Sequence, residues 1–374
     1  MLPSPAFVIE RSKVRANIAK LRRLKEETGA SLLFALKGFA LPALMPDITE
    51  AVEGIAASSL SEALLGYHSS GKKVHLFAPA YRPADIPALL PIVGHWVFNS
   101  LSAYARYASL LPPEIEVGLR VNPHYGFAGA DIYNPGRPGS RLGVPPAYAQ
   151  EELPSPITGL HVHTLCESHA EAFAKLTEAL TQHFSSWLRQ VRWLNLGGGH
   201  LITREGYDIS LFGDAIHSLR QKFPNLQTIF IEPSAAFVWE AGYLRSEVLD
   251  LTSTEGRSWA MLDVSFTAHM PDTLEMPYKP RIREALPEVD ERYPTYWIGG
   301  ITCLAGDEMG PYSFSEPLCV GQILTFHDMA HYTFVKTTLF NGVAHPALVV
   351  QEEKGYRIVK TFGYEDYRRR LSGG

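Results

Sequence analysis

Lys37 closes the apolar run Ser31-Leu32-Leu33-Phe34-Ala35-Leu36-Lys37. An amine at the end of a buried strand is costly to keep charged, so its pKa falls and it gains nucleophilicity. That is what a lysine needs to form a Schiff base with a carbonyl cofactor; a lysine that merely snorkels out of a strand end fits the same pattern. Gly197-Gly198-Gly199 follows the run Trp193–Leu196. Consecutive glycines let backbone N–H groups approach an anion, above all phosphate where a strand leads into a helix; a tight turn is the other reading. Glu232 closes Thr228–Glu232 and precedes Pro233. A buried carboxylate needs a partner, which either a protonated pyridine nitrogen or a structural cation supplies.

His161 and His163 lie two apart in Gly159–Glu167. On a strand both point to one face, with His163 nearer the C-terminal end and placed to stack on an aromatic cofactor ring. H-x-H also fits a metal-dependent hydrolase. That rival expects the motif on a first strand, more histidines on middle strands and a late aspartate. Here it stands on the sixth β-rich run, and the fifth ends in Asn122. Cys303 sits between Gly299-Gly300 and Gly306-Asp307. A buried structural cysteine and a reactive thiol are both open readings.

Strands with the right ends must carry these groups. Eight β-rich runs recur through the first two thirds of the chain: 32–37, 54–59, 74–79, 95–99, 116–122, 157–163, 193–198 and 228–232. Helical stretches fall between most of them, for example 61–70, 102–111 and 169–191. Eight strand–helix repeats predict a (β/α)8 barrel, with a doubly wound open sheet as the alternative. The barrel is preferred because polar and glycine-rich residues gather at strand C-terminal ends: Lys37, Ser58, Ser59, Asn99, Arg120, Asn122, His163, Gly197–Gly199 and Glu232. The Gly/Pro-rich stretch 123–146 reads as an active-site loop or an insertion. After about residue 240, strand-like runs follow one another without long helices: 259–266, 295–302, 322–333, 347–350 and 356–362. The expected division is a barrel over 11–239 and a β domain over 240–374, joined by an N-terminal strand within 1–10.

The chain has 374 residues, 46% of them hydrophobic, enough for a sizeable core. A formal net charge of −5 argues against nucleic acid or anionic membrane as the main partner. No apolar run is long enough to span a bilayer, and Met1–Pro5 lacks the basic and apolar regions of a signal peptide. Cys166, Cys303 and Cys319 are too scattered for a disulfide framework. A reduced, cytoplasmic enzyme is the expectation.

Taken together these residues resemble the fold type III pyridoxal-phosphate decarboxylases, a family that includes ornithine, arginine and diaminopimelate decarboxylases and shares its architecture with alanine racemases. The family's order of motifs appears here as Lys37, His163, Gly197–Gly199, Glu232-Pro233, Thr302-Cys303, Tyr332 and Phe340-Asn341-Gly342. Within the family, Phe34–Ala40, His161–Glu167, Leu262–Asp272 and Gly300–Met309 look most like the enzymes that decarboxylate carboxynorspermidine and carboxyspermidine in polyamine synthesis.

The resemblance implies pyridoxal 5'-phosphate on Lys37, His163 against its ring and Glu232 on its pyridine nitrogen. It implies Gly198, Gly199, the backbone from Ser234 and the hydroxyl of Tyr332 at its phosphate, and Cys303 as the proton donor after CO2 departs. It also implies a head-to-tail homodimer in which Cys303 and Tyr332 serve the partner's site. Two departures stand out. Glu232-Pro233-Ser234 replaces the family's Glu-Pro-Gly, with Ala235 after it. Leu304 replaces the acid that ornithine and diaminopimelate decarboxylases carry after the cysteine. A short substrate's distal ammonium would lose its counter-charge at Leu304. A long cationic tail is expected to meet Asp272, Glu275 and Asp307 instead. The alternatives are a decarboxylase of another basic amino acid and a catalytically inactive regulatory homologue.

Overall fold

The computed structural model describes residues 2–150 and 152–372. The chain opens with β1 (Ala6–Glu10) and helix α1 (Arg11–Thr28). The strands β2 (Ser31–Ala35), β3 (Gly54–Ala57), β4 (Val74–Phe77), β5 (Val93–Phe98), β6 (Glu116–Arg120), β7 (Ile157–His161), β8 (Trp193–Asn195) and β9 (Thr228–Ile231) pair in parallel and close into a barrel. The helices that intervene are α2 (Met45–Thr49), α3 (Leu60–Ser70), α4 (Ile86–Leu89), α5 (Leu101–Tyr107), α6 (Ala170–Leu188) and α7 (Ile209–Lys222), with α8 (Ser234–Val238) after the last strand. Arg15–Phe237 form one compact unit, and residues 1–14 with 238–374 form a second.

Local chemistry starts these helices where the strands leave off. The hydroxyls of Ser59 and Ser100 and the carboxylate of Asp208 accept the N–H groups of Glu62, Ala103 and Leu211, capping α3, α5 and α7. Inside the barrel Leu33, Ala35, Ala56, Val97, Trp193 and Phe230 form a buried cluster. Trp193 crosses the lumen so closely that a Cβ on Gly159 would fall 1.9 Å from its indole, and one on Gly118 2.4 Å. Glycine on two neighbouring strands is therefore what makes room for the barrel's plug. The expected active-site loop is pinned near its C-terminal end: Asn99 Nδ2 donates to Arg141 O (2.9 Å) and its Oδ1 accepts Gly143 N–H (2.8 Å).

The second unit adds β10 (Gly242–Thr254), β11 (Arg257–Leu262), α9 (Phe266–His269), α10 (Asp272–Glu275), β12 (Thr295–Gly299), β13 (Glu308–Ser313), β14 (Ile323–His327), β15 (Ala347–Gln351), β16 (Tyr356–Lys360) and α11 (Tyr364–Leu371). Its sheet runs β13-β12-β11-β10-β1-β15-β16, with β14 also on β10. β1 joins it as expected, antiparallel to β10 and parallel to β15, and β15 with β16 forms the expected hairpin. Buried Ala6, Val8, Tyr243, Ala347 and Val349 form a core cluster. Two strands escape the sequence reading. β10 is the longest in the protein and β13 an edge strand; their mixed polar and apolar alternation becomes legible only with partners on both sides of β10. Conversely, the run 259–266 is cut after Leu262, because Ser265 caps α9 by accepting Ala268 N–H.

Candidate active site

The barrel gathers Lys37, His163, Gly198, Gly199, Glu232 and Ser234. Lys37 stands just past β2, and its Nζ lies 2.9 Å from His163 Nε2. His163 follows β7, and its Nδ1 accepts Gly198 N–H at 3.3 Å. That contact assigns the ring proton to Nε2, on the side of the ring that faces the lysine amine. Glu232 follows β9. Its Oε1 accepts Asn195 Nδ2 at 2.7 Å, while Oε2 faces His163 Nδ1 at 3.4 Å. Asn195 Oδ1 accepts Gly197 N–H at 2.8 Å, so one amide joins the carboxylate to the glycine turn.

The electrostatics follow from burial. Burial lowers the Lys37 amine below the usual lysine range; Glu232 opposes this and Arg120 reinforces it. Burial, with the charges of Lys37 and Arg120, holds His163 far below the usual histidine range, a neutral ring suited to stacking. Burial alone would raise the Glu232 carboxyl. His161, His75, Lys37 and the Asn195 amide outweigh it and keep the carboxylate ionised below its ordinary range.

The glycine turn admits no side chain. A Cβ on Gly198 would lie 2.3 Å from Glu232 O, and one on Gly199, at φ +88°, 1.9 Å from Leu165 O. At Ser234 the hydroxyl donates to Ala35 O and the N–H to Glu232 O. Its side chain thus clamps the glutamate loop to the strand end that carries Lys37 and has no donor left for a phosphate.

The other expected residues belong to the second unit. Cys303 is exposed, and its N–H donates to Asn341 Oδ1 at 2.9 Å. Tyr332 sits at φ +50°, beside Thr333, whose hydroxyl donates to Asp272 Oδ2 at 3.0 Å. The Tyr278 hydroxyl donates to the same oxygen at 2.9 Å, while Asp272 Oδ1 is buried without a hydrogen bond among the described residues. Glu275 is ion-paired with Lys336. Asp307 requires a correction. It is 3% exposed, and its Oδ1 accepts Phe266 N–H (2.6 Å) and Thr267 N–H (3.1 Å). Its Oδ2 accepts Thr302 N–H (3.1 Å) and the Thr302 hydroxyl (2.6 Å). A carboxylate offers about four acceptor sites, and all are filled. Asp307 therefore clamps the start of α9 to the cysteine loop and does not receive a substrate amine.

Sequence reasoning missed the supports beneath the site. His75 on β4 meets Asn195 Nδ2 at 3.0 Å and stacks on His95 at 5.1 Å. Arg120, noted only as a strand-end residue, is buried, donates to His163 O at 2.7 Å and lies 4.5 Å over the Phe77 ring. Histidines on adjacent strands at matching heights were the available signal, but register is needed to see that they meet. His75, His161 and Glu232 bring ligand-type atoms within 4.8 Å of one another, a group able to hold a cation. The hydrolase reading would need them on other strands, since His161 lies on the sixth barrel strand.

Residues 8–330 match the family described as pyridoxal-dependent decarboxylase, C-terminal sheet domain. The chain is 48% identical over 373 residues to carboxyaminopropylagmatine decarboxylase of Synechocystis sp., covering 99% of this chain and 96% of the relative. It is 34% identical to a carboxynorspermidine/carboxyspermidine decarboxylase of Campylobacter jejuni, covering 99% and 98%. The crystal structure of carboxynorspermidine decarboxylase from Campylobacter jejuni complexed with norspermidine superposes with a TM-score of 0.91, covering 99% of this chain and all of that one.

Proposed function

The chain belongs to the pyridoxal-dependent decarboxylase family, and we propose that it decarboxylates carboxynorspermidine and carboxyspermidine, binding pyridoxal 5'-phosphate in the barrel. One observation carries the cofactor reading: a buried lysine amine, lowered below the usual lysine range, 2.9 Å from His163 and beside a buried carboxylate held ionised. The residues fit the group. Glu232 Oε2 accepts no hydrogen bond among the described residues, which suits a pyridinium N–H. The turn at Gly198 and Gly199 offers backbone where side chains are excluded. Lys37 would hold the aldehyde carbon, His163 the ring face, Glu232 the ring nitrogen, and Gly198, Gly199, the backbone after Pro233 and the Tyr332 hydroxyl the phosphate. Bound there, pyridoxal phosphate would supply an electron sink for the pair left when CO2 departs.

The chain's own residues do the rest. The ionised Glu232 keeps a proton on the ring nitrogen, and Asn195 and the histidines behind it keep that carboxylate charged. Asp272, with its unpartnered Oδ1, and Glu275 contribute negative potential to a cationic tail, fixing the head group for loss of its carboxylate. Cys303 delivers a proton from Sγ to the carbon that has lost CO2. It serves a second copy of the chain, and Tyr332 does likewise, in a homodimer. Supporting this, Ile301, Leu304 and Phe340 are each close to half exposed around Cys303, an apolar surface suited to cover by another subunit. All three cysteines are free, as a reducing cytoplasm keeps them. No helix among the described residues is long and apolar enough to cross a membrane.

The 48% identity to a carboxyaminopropylagmatine decarboxylase favours a second reading, in which the tail ends in a guanidinium. A product assay by mass spectrometry decides. Carboxynorspermidine, carboxyspermidine, carboxyaminopropylagmatine, diaminopimelate, ornithine and arginine are offered separately, with Lys37→Ala as control. Release of a triamine, lost in the control, establishes the proposal. Turnover of the guanidino substrate alone establishes the second reading. Turnover only of a short amino acid overturns both.

A further inference from the structure

We propose that Asn341 is the positioning residue of the reactive thiol, setting Cys303 through the hydrogen bond from the Cys303 N–H to Asn341 Oδ1. This rests on the reading above, in which the Cys303 thiol gives its proton to the decarboxylated carbon. The thiolate left behind recovers a proton from water.

Within the chain itself the loop carrying Cys303 has little packing to fix it, since Ile301, Leu304, Ala305 and Gly306 are all exposed. Its order comes from polar anchors. Thr302 is tied to Asp307 through N–H and hydroxyl, at 3.1 and 2.6 Å. Among the described residues Cys303 is tied only to Asn341, at 2.9 Å. Asn341 presents its amide from a left-handed conformation, φ +55° and ψ 15°, which asparagine tolerates better than most residues.

The turn bearing Asn341 is itself anchored on both sides to α9. Thr338 N–H donates to Ala268 O at 2.8 Å, and His269 Nε2 lies 3.0 Å from Ala344 O. The first N–H groups of α9 in turn donate to Asp307, at 2.6 and 3.1 Å. A closed circuit therefore runs from Asp307 through α9 to the Asn341 turn, across to Cys303 and back through Thr302. Within this unit α9 is the frame on which two loops are hung. Asn341 is exposed, so losing its amide opens the circuit at the thiol while the core stays packed.

Two variants separate the hydrogen bond from the backbone conformation. Asn341→Gly keeps access to the left-handed region and removes the acceptor; Asn341→Asp keeps both. Hydrogen exchange at the Cys303 amide is measured on the cofactor-free protein, and kcat, KM, cofactor absorbance and urea midpoint on the loaded enzyme. In N341G the Cys303 amide exchanges faster, and kcat falls roughly 10- to 100-fold, the scale of a misplaced reacting group. KM stays within about twofold, the signature of a group acting after binding, with absorbance and midpoint unchanged. N341D restores slow exchange and most of kcat. Wild-type exchange at Cys303 in N341G overturns the proposal, and so does faster exchange with wild-type kcat. A Cys303→Ala enzyme with wild-type kcat sinks the underlying reading of the thiol instead, a result distinct from an effect of C303A with none of N341G.

Discussion

Replacing Asp307 by alanine removes four hydrogen bonds at once and tests whether this acid is architecture or a substrate contact. The donors lose their acceptor unequally. Phe266 is fully buried, so its N–H finds no water, and an unsatisfied buried donor costs about 1–3 kcal/mol. Thr267 and Thr302 are only half-buried, and their N–H and hydroxyl groups are rehydrated at about 0.5–1 kcal/mol each. The side chain also fills the space in front of Gly300, where an added Cβ would come within 2.3 Å of its carboxylate. The expected loss for D307A is about 3–5 kcal/mol. D307N should lose about half as much, because its amide oxygen still serves the two α9 donors while its NH2 faces the Thr302 N–H. Equilibrium urea unfolding of the three proteins, with KM for carboxynorspermidine, is the assay. A loss below about 1 kcal/mol in D307A would refute the saturated-acceptor argument. A D307N enzyme of wild-type stability with KM raised tenfold or more would return the residue to the substrate tail.

Two further outcomes follow from the site and its surroundings. Glu232→Gln, which can still accept the Asn195 amide, should lower kcat roughly 10²- to 10³-fold, the scale of losing one preorganised electrostatic partner; wild-type kcat would refute the pyridinium role. Buried histidines make the fold acid-labile: burial lowers His161 to about 3 and His200 and His269 to about 4, against 6.5 for a free histidine. Between those values the unfolded chain binds more protons, so stability holds above pH 6.5 and declines as pH falls toward 4. The slope is about 1.4 kcal/mol per pH unit for each histidine. Urea midpoints at pH 7.5 and 5 measure it, His269→Gln should flatten it by one histidine's share, and a midpoint independent of pH would be the contrary result.

The barrel, the added strand β1 and the mouth residues were legible in the sequence because each rests on a local rule. A strand alternates or runs apolar, its C-terminal end faces the barrel mouth, and a triple glycine permits backbone where a side chain cannot go. Lys37, His163, Gly198, Gly199 and Glu232 all stand at such ends, so period and position sufficed to bring them together. The side chains of Ser234 and Asp307 obey no such local rule. Asp307 reads by residue type as an acid toward a ligand and Ser234 as a backbone position, yet both side chains are consumed by backbone groups far along the chain: Ala35 for one, Phe266 and Thr267 for the other.

What the sequence by itself determined was the set of strands, their direction and the chemistry at their ends, since these depend on residues a few positions apart. Only the tertiary structure decided which polar groups remain free to act. A side chain's availability depends on whether its donors and acceptors are already met, and those partners come from loops and helices whose proximity is set by barrel closure and sheet register. The same closure buries Lys37 beside Arg120 and stacks Asn195 and the histidines behind Glu232. That burial, which no local pattern encodes, lowers the amine of a strand-end lysine below its usual range.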